Sequence, residues 1–267
     1  PVLLPVRPDT GEARILRVGE LCRRVRTSPA TLRRDLRVLE ARGELRRVHG
    51  GAVSLESRLE EPGFEDKAGR AAREKGWIAE AALRQISGGM TVYLDGGSTV
   101  LALARAIRTR TDIVVVTNSL RAAVELAGQG PRTILIGGEL RRLSQTLVGP
   151  LTRHVLDMLQ LDIAFMGAMG IGPGGEITTT DPAEAFTKEW VMRRSARVVL
   201  LVDRSKFGKV SFARAGSLRD VDVLITDGRL GPEWTRRIRA AGATLVMARP
   251  RGAAGGRTEE PARGGRI

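Results

Sequence analysis

Two sets of residues in this chain have types and spacings suited to chemistry. The first is a cationic run at Arg33, Arg34 and Arg37, preceded by Thr27, Ser28, Ala30 and Thr31 and followed by Arg46, Arg47, His49 and Gly50. Guanidinium groups grip phosphates and read guanine through two parallel hydrogen bonds, so this run suits double-stranded DNA. The second set is a series of polar loops, each placed after an apolar run. These are Asp95-Gly96-Gly97-Ser98-Thr99, Thr117-Asn118-Ser119, Gly137-Gly138-Glu139 and Asp203-Arg204-Ser205-Lys206. Glycine lets a ligand approach the backbone, amides and hydroxyls at a helix start attract phosphate, and Lys206 adds a cation. Each loop alone reads as a tight turn. Four of them at corresponding places read as a site for a phosphorylated polyol or sugar.

The arginines need an element to present them. Ser28 is a suitable N-cap, Pro29 fits the first helical position, and Leu32, Leu36 and Leu39 recur at helical spacing over 28–40. The arginines then fall on the opposite side from the leucines. Upstream, Val18, Leu21, Cys22 and Val25 stand at i, i+3, i+4 and i+7, which predicts a second small helix over 17–25. Residues 26–28 leave only a tight connection, the spacing of a helix-turn-helix. Downstream, Gly43 closes the helix, 44–48 alternates like a strand, and Gly50-Gly51 supplies a turn. That pattern predicts a wing that lays Arg46, Arg47 and His49 on the DNA backbone.

The run LCRRVRTSPATLRRDLRVLEARGELRRVHGGAV resembles the winged helix-turn-helix of the DeoR family of bacterial transcriptional regulators. The shared pattern is Ser-x-x-Thr-(apolar)-Arg-Arg-Asp-Leu at 28–36, then Gly-x-(apolar)-x-Arg-x-His-Gly-Gly-Ala at 43–52. The family places a further helix ahead of this motif. Here 1–15 carry Pro1, Pro5, Pro8 and Gly11, so that helix is expected to be degraded or missing, with no more than a turn at 12–16. A chain that begins with Pro1 rather than Met is also what processing or truncation would leave.

The chain has 267 residues, enough for one small and one medium domain, and its 44 basic against 30 acidic residues give +14. Residues 1–58 alone hold 13 arginines against 7 acids, so the excess favours a polyanionic partner there. The single cysteine, Cys22, excludes an internal disulfide framework and suits a cytoplasmic protein; its expected role is a small apolar residue beneath the arginine-bearing helix. No apolar run reaches the ~18–20 residues that span a bilayer, so no membrane partner is expected. The expected organisation is a DNA-binding domain over 1–53, a linker and the start of a connecting helix over 54–73, an α/β effector-sensing and oligomerisation domain over 74–248, and a disordered tail over 249–267.

Within the second domain a helix is expected over 66–86, with Trp77, Ile78, Ala81, Ala82 and Ile86 buried. Short apolar strands are expected at 91–94, 113–116, 133–136, 163–166, 198–202, 223–226 and 244–246. Helices are expected at 100–107, 120–126, 151–159, 182–195 and 232–241. Strands alternating with helices predict a largely parallel sheet covered on both faces, with ligands at the carboxyl ends of its strands.

The segments DGGST, TNSL, IGGELRRLSQTLVGP, TDPAEAFTKEWVM and VDRSKFG resemble successive motifs of the DeoR-type sensor domain. That resemblance implies a fold similar to ribose-5-phosphate isomerase. It also implies effector contacts from Asp95, Gly96, Gly97, Ser98, Thr99, Asn118, Ser119, Gly137, Gly138 and Lys206, with Glu184 and Lys188 as a further pair. The i,i+4 spacing of Glu184 and Lys188 suits a surface ion pair equally well. His154 reads as structural. The function implied is a repressor of a sugar-phosphate operon, a homodimer or homotetramer on operator DNA, released by a phosphorylated sugar and needing no cofactor or metal. The alternative is a sugar-phosphate isomerase-like enzyme with an accessory basic domain, its general base drawn from Asp95, Glu184, Asp203 and Lys206.

Overall fold

A computed structural model describes residues 16–25, 27–41, 45–48, 51–54, 63–128 and 130–249. The chain forms two compact units, Pro1–Glu60 and Glu61–Ile267. Residues 1–15 and 250–267, where a degraded helix and most of a tail were expected, lie outside the described residues.

The first unit contains β1 (Leu16–Arg17), α1 (Val18–Val25), α2 (Pro29–Ala41), β2 (Leu45–Val48) and β3 (Gly51–Ser54). Ser28 caps α2 as its residue type requires: the Thr31 N–H donates to Ser28 Oγ at 3.2 Å, and the two hydroxyls lie 2.9 Å apart. Leu21, Leu32 and Leu36 are buried together, with Val18 and Cys22 packed against them. Val25 departs from the expected stripe and is 45% exposed, since it ends a helix of only eight residues. Arg17 departs as well. It belongs to β1, which adds to the free edge of β3 rather than starting a helix. β2 and β3 pair antiparallel with Arg46 opposite Val53 and Arg47 opposite Ala52, so the wing is present.

Leu36 is one of three leucines buried together among the described residues of this unit. Leu36→Ala is expected to cost about 2–5 kcal/mol, as much as a unit of this size holds in reserve. The expected result in a thermal melt is loss of the transition of 1–60 while that of 61–267 keeps its midpoint.

The second unit starts with α3 (Phe64–Gly69) and α4 (Ala72–Leu83). Then come β4 (Thr91–Leu94), α5 (Ser98–Ile107), β5 (Val114–Thr117), α6 (Leu120–Leu126), β6 (Arg132–Leu135), β7 (Glu139–Arg141), β8 (Thr146–Val148) and α7 (Leu151–Asp157). It continues with β9 (Ile163–Met166), β10 (Gly170–Ile171), β11 (Glu176–Thr179), α8 (Pro182–Arg194), β12 (Val198–Leu201), β13 (Ala213–Ser217), β14 (Val223–Asp227), α9 (Pro232–Ala240) and β15 (Thr244–Ala248). Seven strands form one parallel sheet in the order β15-β14-β12-β9-β4-β5-β6.

Side chains alternate across this sheet, and both faces are covered. Val92, Leu94, Val199 and Leu201 join α4 and α5 in one core. Tyr93, Ala164, Val198 and Leu200 join α8 and α9 in another. Burial on both faces is why these strands read as unbroken apolar runs. No helix among the described residues is long and apolar enough to cross a membrane.

The helix expected over 66–86 is broken instead. Arg70 is extended and Ala71 lies in the left-handed region at φ 52°, which separates α3 from α4. Two features favour the break. Phe64 is buried and fixes the start of α3, and the Lys75 ammonium donates to the carbonyls of Lys67 and Arg70, the latter at 2.5 Å, at the helix end. These carbonyls are among those that the end of a short helix leaves without intrahelical donors. The hairpin β7–β8 and the small antiparallel sheet β10-β11-β13 have no counterpart among the expected elements, because their strands are short and lie in glycine-rich or charged sequence.

Candidate functional site

In the first unit, Ser28, Ala30, Thr31, Arg33, Arg34 and Arg37 are exposed and Thr27 is half-buried, while Leu32 and Leu36 face inward. The helix therefore presents a small, hydroxyl-bearing N-terminus and three guanidinium-bearing positions on its outer side. That suits insertion in a major groove. Arg46 and Arg47 lie in β2; His49 and Gly50 lie outside the described residues.

In the second unit, the loop Asp95–Thr99 joins β4 to α5 and connects two groups of charges. Gly97 takes φ 132° ahead of α5, a conformation that glycine supplies without strain. At one end of the loop, Asp95 is 2% exposed. It accepts from the Lys188 ammonium and, at 2.9 Å, from the Gly167 N–H. Lys188 also lies 3.4 Å from Glu184 Oε1 and donates to the Gly167 carbonyl at 3.2 Å. Arg141 from β7 completes the network, 3.4 Å from both Glu184 Oε2 and Asp181 Oδ2 and donating to Thr180 Oγ1 at 3.2 Å.

Glu184 and Lys188 therefore do not form a surface ion pair: they are 7% and 3% exposed. They are held inward because Asp181 caps α8, accepting from the Glu184 N–H at 2.9 Å. The Lys188 pKa balances burial, which pushes it down, against Asp95 and Glu184, which outweigh burial and leave it raised. The Tyr93 phenol is fully buried beside the same acids, and its pKa is raised by burial first and then by Asp95 and Glu184. Neither its hydroxyl nor Asn118 Oδ1 has a hydrogen-bond partner among the described residues. Two orphaned polar atoms next to a buried charge network are what a site for ligand hydroxyls would leave.

At the other end of the loop lies a group of cations. Lys75, 5% exposed, projects from α4 toward Asp203, Lys206, Lys67 and Arg70. Lys206 faces Asp203, Lys209, Lys67 and Arg70. Burial lowers the pKa of both Lys75 and Lys206, and the neighbouring cations lower it further against the pull of Asp203. The Ser98 hydroxyl donates to the Lys67 carbonyl at 3.3 Å. A phosphate fits such a cluster at the start of a helix.

The sign of the pH effect follows. The two ammonium groups lose their charge at a lower pH than ordinary lysines. Anion affinity at this cluster is therefore expected to fall before the usual lysine value of about 10.4 is reached, as phosphate titrations across the alkaline range would show. The same depression makes the unfolded state bind more protons, so these two groups favour unfolding less as pH rises through that window. Lys188 acts oppositely. Its contribution is complete below the ordinary lysine value and is lost as pH rises through its raised one.

Other expected site residues have identifiable structural roles. Ser119 is buried and its hydroxyl caps α6, accepting from the Ala122 N–H at 3.2 Å. Asn118 donates to the Leu147 carbonyl at 3.2 Å. Gly138 lets β7 and β8 approach, since a Cβ there would sit 2.8 Å from the Val148 carbonyl oxygen. Gly96 is similarly crowded by Thr146, Gly137 is exposed, Thr99 is buried, and His154 is exposed on α7. Sequence reasoning missed Tyr93, Arg141, Lys67, Arg70 and Lys75. Lys75 gave a signal, because it shares a helical face with Ile78, Ala79 and Ala82. A lysine on an apolar stripe needs a partner.

Comparison with known proteins follows the same division. Residues 12–58 match the family described as "DeoR-like helix-turn-helix domain", and 70–228 match "DeoR C terminal sensor domain". The chain is 38% identical over 219 residues to the HTH-type transcriptional regulator GlpR of Haloferax volcanii, covering 82% of this chain and 86% of that one. It is 36% identical to the lactose phosphotransferase system repressor of Streptococcus mutans, covering 79% and 85%. It is 35% identical to the glycerol-3-phosphate regulon repressor of Escherichia coli, covering 78% and 82%. Among solved structures, ribose 5-phosphate isomerase A from Methanocaldococcus jannaschii aligns with a TM-score of 0.40 at 20% identity, over 51% of this chain and 55% of that one. With a DeoR helix-turn-helix in its first unit and a DeoR sensor domain in its second, the chain belongs to the DeoR family of transcriptional regulators.

Proposed function

We propose that this regulator is a repressor of a carbohydrate or sugar-phosphate operon, released from its operator by a phosphorylated sugar or polyol. The observation that carries the effector reading is the loop Asp95–Thr99, which has a buried Asp95–Lys188–Glu184–Arg141 network at one end and the Lys75–Lys206 cation cluster at the other. A ligand with hydroxyls at one end and a phosphate at the other matches both halves. The repressors of the lactose phosphotransferase system and of the glycerol-3-phosphate regulon among its relatives agree with that chemistry. Two α2 helices on repeated half-sites imply a homodimer or homotetramer, and the exposed Val124, Leu151, Met158 and Phe212 offer apolar surface for assembly. Asp95 spends its carboxylate on Lys188 and Gly167, which suits binding better than general-base turnover.

Calorimetry with a panel of polyol and sugar phosphates tests the reading. Saturable binding of one phosphate ester, absent for its unphosphorylated parent and lost in Lys206→Ala, is expected, with the ester recovered unchanged. Steady conversion of the ester to an isomer would instead establish an enzyme.

A further inference from the structure

The group of cations draws on two parts of the unit. Lys206 and Lys209 follow β12, and Lys75 belongs to α4, whereas Lys67 and Arg70 belong to α3 and its C-terminal end. Among the described residues α3 is the first element of the second unit, the part of the sensor nearest in sequence to the DNA-binding unit. Its attachment has an apolar part and a polar part. Phe64 is buried, with the Arg121 guanidinium 5.1 Å above its ring and ion-paired to Glu65. At the other end, the Lys75 ammonium and the Ser98 hydroxyl hold the carbonyls of Lys67 and Arg70. Against this grip stands the repulsion of Arg70 and Lys67 by Lys75 and Lys206 across the junction. Ala71 at φ 52° adds backbone strain at the same place.

We propose that the effector's phosphate is the counter-ion that clamps α3 onto the sensor. This rests on the reading of 95–99 and 203–206 as the effector site and names how occupancy leaves it. A dianion seated on the first backbone amides of α5, between Lys75 and Lys206, leaves the Ser98 hydroxyl on the Lys67 carbonyl and reverses the sign of the interaction with Arg70, so repulsion across the α3–α4 junction becomes attraction. The two Lys75 hydrogen bonds to the α3 carbonyls stay in place, and the third ammonium proton is available to the phosphate. The empty sensor therefore holds α3 against that repulsion, and the occupied sensor removes it and fixes the end of α3 more firmly.

Hydrogen–deuterium exchange on the full chain tests this, with inorganic phosphate as the probe and chloride at matched ionic strength as the control. Backbone amides of 63–71 are expected to exchange about two- to fivefold more slowly with phosphate, the effect of one partly exposed charge contact. Arg70→Glu supplies the negative charge permanently. It is expected to slow exchange of 63–71 without phosphate and to abolish the phosphate effect, whereas Arg70→Ala only weakens it. A purely structural α3 would show no such reversal. If phosphate binds by calorimetry and Lys206→Ala removes that binding, yet exchange of 63–71 is unchanged or faster, the clamp is wrong and the effector site stands. If phosphate binds no more than chloride, both fall.

Discussion

Lys188→Met is expected to cost the sensor domain roughly 3–5 kcal/mol, the usual loss when one partner of a buried ion pair is removed. Lys188 is the cation shared by Asp95 and Glu184, and its side chain is 4% exposed. Methionine fills a similar volume, so the loss is electrostatic. Asp95 is left buried with the Gly167 N–H but without its cation, and Glu184 keeps its pairing with Arg141. Urea unfolding should show a lower midpoint at unchanged slope, because the surface exposed on unfolding is the same. Adding Asp95→Asn should recover part of the loss, since an amide does not need the missing cation. A coupling of about 1–3 kcal/mol between the two substitutions is the expected size for groups in direct contact. Independent, additive losses would mean that Lys188 acts through packing.

The second large effect is on DNA. Arg33→Ala with Arg34→Ala is expected to weaken operator binding by roughly two to three orders of magnitude, because each base-edge contact contributes about 1–3 kcal/mol and each phosphate contact adds to the salt slope. Both arginines are exposed on α2 and take no part in the cluster of Leu21, Leu32 and Leu36. The melting of the first unit should therefore change little. Reduced affinity with an unchanged preference among sites would make these residues phosphate grips. Reduced preference would make them base readers.

The helix-turn-helix, the wing and all seven parallel strands were legible because each follows from local rules: an N-cap serine with Pro29 behind it, a leucine stripe, and apolar runs ended by polar loops. The two halves of the proposed effector site were legible only in part. Asp95, Ser98 and Lys206 sit in glycine- or serine-marked loops that announce themselves. Arg141 and Lys75 reach the site through tertiary placement, one from a three-residue strand and the other from a helix face. The pairing of Glu184 with Lys188 was visible as a spacing, but spacing does not report burial. What buried that pair was the return of α8 against β4 and β9, bringing Lys188 to Asp95 ninety-three positions away. The break at Arg70–Ala71 was hidden for the same reason, since the ammonium that stabilises it comes from the next helix.

The most direct test of the account is an anisotropy titration of the full chain on DNA from its own upstream region, at several salt concentrations, with and without the panel of polyol and sugar phosphates. The account predicts tight binding to a discrete site, loss of that binding with one phosphate ester, and persistence of binding with the same ester in Lys206→Ala. Affinity equal for any duplex and steep in salt, indifferent to every phosphate ester, would contradict it.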